Sequence, residues 1–191
     1  MNDMEASLPI LLSDTGPLIS IFQSASLEWV TALFGPLHTT EGCLAELARH
    51  GWAPVVTNAG PDLVCHTLTS SEAEQARVFA RLIAAQPASK DREPDHHLGE
   101  AEVRALAQGS EFTGAVVLID ELAARAVAAD AGLTISGFAG ILLWAVEEEA
   151  LTAEQAREQL EHCRQQGTHY SAEFIDRIYQ AAREREREWN K

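Results

Sequence analysis

Four acidic residues stand where a carboxylate can do chemistry, and they are widely separated along the chain. Asp14 follows the run LPILLS and Asp120 follows GAVVLI, so two short apolar segments each end in an acid. A charge beside a buried strand is costly unless something compensates it. Glu46 lies in EGCLAELARHG between Leu44 and Leu47, on the border of an apolar helix face. Glu100 follows Gly99 at the start of LGEAEVRALAQG, where the helix dipole favours an anion. Glu102 is two residues on, about 200° around the same helix, so only one of the pair can face a site, and Glu100 is nearer the N-terminus. Carboxylates brought together repel, and either protons or a cation must relieve them. Hard divalent ions such as Mg²⁺ and Mn²⁺ prefer oxygen ligands. The reaction suited to such a site is in-line displacement at phosphate, with a metal-bound water as nucleophile.

The elements that must bring these acids together read as an alternation of strands and helices. Strands are predicted at residues 8–13, in LHTT, in DLVCHTL, at 115–119 and in LTIS. The first is followed by a turn at Gly16, with Pro17 in the first turn of a helix. SLEWVTALF is helical and stops at Gly35 and Pro36, and EGCLAELARHG is a helix ended by Gly51. Residues 52–70 otherwise mix Pro, Gly and Asn. SSEAEQARVFARLIAA is a helix opened by a capping box of Ser71 with Glu74, and QPASKDREPDHH is a polar loop. LGEAEVRALAQG and ELAARAVAADAG are helices, the second stopped by Gly132. GFAGILLWAVEEEAL is a strongly apolar helix, and TAEQAREQLEHCRQQG opens with a second capping box, Thr152 with Gln155. The last helix, SAEFIDRIYQAAREREREW, is capped by Ser171. This alternation indicates a parallel α/β sheet, whose ligands gather beyond the C-terminal strand ends, where Asp14 and Asp120 would lie together.

In order along the chain, LLSDTGPLIS, CLAEL, LGEAEVRALA, LIDELAARAVAADAGLTISG and GILLWAVEEEAL resemble the PIN domain. More narrowly they resemble the bacterial and archaeal branch related to VapC toxins, with its D-T/S-x-P-L opening and G-E-A-E helix. The resemblance covers most of residues 8–166. It implies a three-layer Rossmann-like α/β fold, with a central, mostly parallel sheet flanked by helices, and hydrolysis of single-stranded RNA with Mg²⁺ or Mn²⁺. Carried over by position, it implies Asp14, Glu46, Glu100 and Asp120 as the catalytic, metal-binding set. Thr15 would be a hydroxyl beside them, and Glu121 would support or replace Asp120. It also implies the toxin of a type II toxin–antitoxin pair, whose small antitoxin covers the site with a basic or hydrophobic tail; a homodimer is a further expectation. Two features depart from the pattern. Residues 52–98 are long, with 71–95 reading as a helical and loop insertion, and Phe138 stands where related sequences often carry Thr or Ser.

The 191 residues, 46% hydrophobic and 23% charged, suit a single globular domain over 1–191 whose C-terminal helix occupies 168–191. Asp3 and Glu5 sit where a signal peptide would be basic, and the apolar run behind them is too short to span a bilayer. Cys43, Cys65 and Cys163 form neither a disulfide framework nor a zinc motif. A soluble cytoplasmic protein is expected. With 29 acids against 14 bases, the formal charge of −15 opposes non-specific nucleic-acid binding. A cation at the acidic site would attract phosphate, leaving only a local basic strip to be found, for which Arg49, Arg104 and Arg125 are candidates.

Each acid has a plainer role to set against this. Asp14 and Asp120 could cap the helices that follow them, Glu100 could simply complement a helix dipole, and Glu46 could be solvated, with Glu41 close by. His96 and His97 read as solvent-facing loop residues, and His162, Cys163 and His169 lack zinc spacing. The alternating charges of the REREREW tail read as a solvated helix face. DTG is also the aspartic-protease signature, but those enzymes need two such carboxylates on a mostly β fold, which the helical patterning contradicts. The alternative function is a non-catalytic PIN-like domain that binds RNA or protein.

Overall fold

The structure is a computed structural model that describes residues 9–190. Five parallel strands form one sheet in the order β3-β2-β1-β4-β5: β1 (Leu11–Ser13), β2 (Leu37–Thr40), β3 (Leu63–His66), β4 (Val116–Leu118) and β5 (Thr134–Ser136). In register, Leu11 pairs with both Leu37 and Val116, and Leu12 with Val117. Successive side chains alternate across a strand. Leu11, Leu37, Val116 and Leu118 therefore enter one core, and Leu12, Val117 and Ile119 the other. Both faces are covered, which is why β1 and β4 read as unbroken apolar runs.

On the first face lie α1 (Thr15–Gln23), α2 (Leu27–Phe34), α8 (Phe138–Glu147), α9 (Ala153–Gln165) and α10 (Ala172–Glu186). On the second lie α5 (Ser70–Ala85), α6 (Leu98–Ala107) and α7 (Leu122–Asp130). α3 (Glu41–Arg49) gives Leu47 to the first core and Cys43 to the second. The result is the three-layer α/β arrangement expected from the alternation of elements.

Several local readings are corrected. The first strand begins at Leu11, and Leu8 lies outside the described residues. Gly16 is inside the first turn of α1 rather than in a separate turn. Within residues 52–70 there is a helix, α4 (Ala53–Ala59), which Pro54 opens at its start rather than breaks. The capping box of α5 is Thr69 with Glu72, two residues before the predicted pair. There Thr69 N donates to Glu72 Oε2 at 2.7 Å and Glu72 N to Thr69 Oγ1 at 3.3 Å. The box of Thr152 with Gln155 and the Ser171 cap form as read. His97 is buried rather than solvent-facing, its Nε2 3.1 Å from the Asp91 carbonyl, while His96 is exposed beside Asp91. Among the described residues no helix is long and apolar enough to cross a membrane.

Candidate active site

The strand order reverses direction between β1 and β4, and a crevice opens beyond the carboxyl ends of strands at such a point. Asp14 and Asp120 lie just past those two ends. The Asp14 N–H still donates to Leu118 O of β4 at 3.1 Å, extending the ladder to the acid itself. Asp14 also caps α1, its Oδ1 accepting from Gly16 N at 3.1 Å, so capping and a place in the site coincide. A methyl group on Gly16 would lie 3.7 Å from both Asp14 Oδ1 and Asp120 Oδ2, so the two carboxylates flank the same glycine.

Glu46 reaches this end from α3. Thr15 Oγ1 donates to Glu46 Oε2 at 2.7 Å, and a Cβ on Gly99 would lie 3.2 Å from that oxygen. The glycine before Glu100 thus lets the start of α6 close on the Glu46 carboxylate. Glu100 Oε2 is buried and has no hydrogen-bond partner among the described residues.

The electrostatics follow from this crowding. Asp14 is 3% exposed, and burial pushes its carboxyl well above the usual range. The charges of Glu100, Asp120 and Glu46 push the same way, against the Gly16 N–H. Burial also raises Glu100, with Glu46 adding to it, while its own N–H and His97 oppose. Burial raises Asp120, and Arg125, the Phe138 N–H and the Tyr170 hydroxyl work against that. The Cys43 thiol, buried against Gly99 O, is pushed up to about 12 and stays protonated.

Neighbouring acids sort themselves by their partners. Glu102 Oε2 accepts from Gly42 N at 3.0 Å at the start of α3, and Glu41 accepts from Thr67 Oγ1 at 2.7 Å. Glu121, not Asp120, caps α7, its Oε2 accepting from Ala124 N at 2.6 Å. Two of the three candidate arginines are turned inward. Arg125 donates to Ile119 O and Ser136 O at 2.7 and 2.8 Å. Arg104 is buried with its guanidinium 3.2 Å above the Phe79 ring. Arg49 is exposed. Phe138 is fully buried in the first core and offers no hydroxyl.

Two residues of this region escape a reading of the sequence. A Cβ on Gly137 would lie 2.5 Å from Asp120 Oδ1, so the chain needs glycine there for close approach to the acid. Gly137 has an extended backbone (φ −143°), which any residue adopts. Tyr170, between α9 and α10, sets its hydroxyl 3.0 Å from Ser20 Oγ, with the Asp120 carboxylate beside it. Nothing in the spacing of a lone loop tyrosine announces this.

Among the described residues no three His, Cys, Asp or Glu side chains stand at the spacing of a ready-made metal-ligand set. The donor chemistry nevertheless fits a hard divalent cation. The side chains gathered here offer carboxylate and hydroxyl oxygens, the one thiol is held protonated, and Glu100 Oε2 is a buried acceptor with nothing to accept from. Arg125, the cation nearest Asp120, is engaged with two carbonyls. Comparison with known proteins finds no curated protein and no solved structure that matches. A family model does match, over residues 10–184: DUF3368, described as a PIN domain. That span contains all five strands, both aspartates and both glutamates, and the chain belongs to the PIN domain family.

Proposed function

We propose that this protein is a divalent-metal-dependent endoribonuclease that hydrolyses phosphodiester bonds in single-stranded RNA. PIN domains are generally nucleases that use divalent metals. The observation that carries the reading for this chain is Asp14 and Asp120 flanking Gly16 at the β1–β4 crevice, beside the unpartnered Glu100 oxygen. Asp14, Glu46, Glu100 and Asp120 would hold Mg²⁺ or Mn²⁺. Bound there, the ion supplies Lewis acidity at the phosphate and a more acidic water.

The chain's own residues prepare that chemistry. Burial of Asp14 excludes bulk water from its carboxylate and strengthens its field at the strand end. Thr15 orients Glu46 through its 2.7 Å hydrogen bond, with Glu46 Oε1 3.9 Å from the exposed His50 Nε2. Gly16, Gly99 and Gly137 have no Cβ to block the approach of a phosphate or of one acid to the next.

A toxin role follows as the finer proposal. An acidic groove on a chain of formal charge −15 suits the basic tail of a small antitoxin. Purified protein is expected to cut single-stranded RNA with Mn²⁺ or Mg²⁺ and to lose activity in excess chelator. Asp14→Asn and Asp120→Asn should each lower kcat by at least about 100-fold, as loss of a carboxylate from a metal centre does. Full activity in both variants or in chelator sinks the mechanism. RNA that is bound but never cut would support the non-catalytic alternative. For the toxin role, the neighbouring reading frame should encode a small protein that suppresses the activity.

A further inference from the structure

The starts of α3 and α6 meet in a reciprocal contact, with a glycine of one helix against an acid of the other at both ends. Gly42 and Glu46 lie four residues apart on one face of α3, and Gly99 and Glu102 lie three apart on one face of α6. Gly42 N donates to Glu102 Oε2 at 3.0 Å, and a Cβ on Gly42 would collide with that carboxylate. At the other end, a Cβ on Gly99 would lie 3.2 Å from Glu46 Oε2 and 3.4 Å from Cys43 Sγ. Cys43 Sγ itself lies 3.5 Å from Gly99 O. The two glycines let the helices approach, and Glu102 supplies the hydrogen bond that fastens them.

A helix start carries N–H groups without an internal partner and a partial positive charge. Thr40, the cap of α3, takes the Cys43 N–H from within the same segment, whereas Glu102 takes the Gly42 N–H from a different helix. A carboxylate accepting from a backbone N–H makes a charge-assisted bond, stronger than a neutral one. α3 depends on such a bond, because only Cys43 and Leu47 of its nine residues are buried. Asp14 and Asp120 are placed by the ends of β1 and β4, but how Glu46 stands against Glu100 depends on how α3 sits on α6. We propose that Glu102 is a positioning residue that locks the start of α3 onto α6 and thereby sets the place of the Glu46 carboxylate beside Glu100. The inference deepens the metal-centre reading and rests on Glu46 and Glu100 being cation ligands.

Partners that orient metal ligands typically carry about 10–100-fold in affinity, and Glu102 acts one step further out, so the lower end is expected. In the full chain, Mn²⁺ titration followed by electron paramagnetic resonance should show Glu102→Ala binding Mn²⁺ about tenfold more weakly. Glu102→Gln keeps an acceptor oxygen without the charge and should restore most of the affinity. Gly42→Ala favours the helix but drives the Glu102 carboxylate away. It should weaken Mn²⁺ binding as Glu102→Ala does and add nothing when combined with it. Glu41→Ala removes a charge from the same helix start and should leave the affinity unchanged, because Glu41 is bonded to Thr67 instead. A role in stability alone would lower the melting temperature of Glu102→Ala while its folded form binds Mn²⁺ like the unmodified chain, and that result overturns the proposal. Glu102→Gln binding as weakly as Glu102→Ala also overturns it, since charge rather than position would then be at work. If the unmodified chain binds no Mn²⁺, the metal-centre reading falls, and crystal structures of the unmodified chain and Glu102→Ala decide the positioning role by themselves. Glu46 drawn away from Gly99 in the variant supports it, and Glu46 unmoved overturns it. Mn²⁺ bound with Glu102-dependent affinity but no RNA cleaved would remove the nuclease reading and leave this one standing.

Discussion

Asp14 shows how a single side chain can be both necessary and unfavourable. It caps α1, which stabilises the helix start, yet it is buried among like charges that push its carboxyl upward. Glu100 and Asp120 are raised as well. The folded state therefore binds protons more tightly than the unfolded chain. The stability this confers is greatest below the ordinary carboxylate range and is lost as pH rises through that range to the raised values. In chelator, Asp14→Asn should flatten the decline of the melting temperature with rising pH and raise it at neutral pH by a few degrees. A melting temperature that falls as far with rising pH in the variant would show that Asp14 stays ionised at no cost. Gly137→Ala tests the neighbouring acid. The backbone accepts alanine, but its Cβ would meet Asp120 Oδ1 at 2.5 Å, so metal-dependent activity should fall at least about tenfold, as a misplaced group does, with little loss of secondary structure by circular dichroism.

At the scale of elements, the helix starts decide how the site is assembled. α1 begins on Asp14, α3 on Thr40, and α7 on Glu121, each cap's side-chain oxygen accepting from a backbone N–H of the first turn. The work of capping α7 falls to Glu121, which leaves the Asp120 carboxylate free to turn toward Gly16. The register of α5 shows why such details elude a one-dimensional reading. T-S-S-E-A-E contains two overlapping S/T-x-x-E patterns, and both satisfy the capping rule equally well. The start at Ser70 puts Ala76, Ala80 and Ile83 into the second core, so packing selects Thr69. Thr69→Ala should cost about 1 kcal/mol in denaturant unfolding, while Ser71→Ala should stay within about 0.5 kcal/mol.

For the whole molecule, the formal charge of −15 sets how RNA can arrive. With Arg104 and Arg125 turned inward, long-range repulsion dominates until a phosphate reaches the crevice. The screening length falls from about 30 Å to about 10 Å between 0.01 M and 0.1 M salt. At saturating divalent metal, kcat/KM on single-stranded RNA should therefore rise over that range. A steep fall would instead reveal a basic track that neutralises several phosphates.

The alternation of apolar runs and amphipathic segments was enough to indicate a layered parallel sheet, because strands covered on both faces must be apolar throughout. It also placed acids at the ends of β1 and β4, since Asp14 and Asp120 sit beside those runs in the sequence itself. The acids' partners were another matter. That Glu46 meets Thr15, that Glu121 caps α7, that Arg104 and Arg125 face inward and that Tyr170 reaches Ser20 depend on contacts between residues brought together by packing. Local pattern records which face of an element is apolar, but it carries no record of what stands opposite a polar group once the layers close. The candidate site is therefore half a property of the sequence and half a property of the fold.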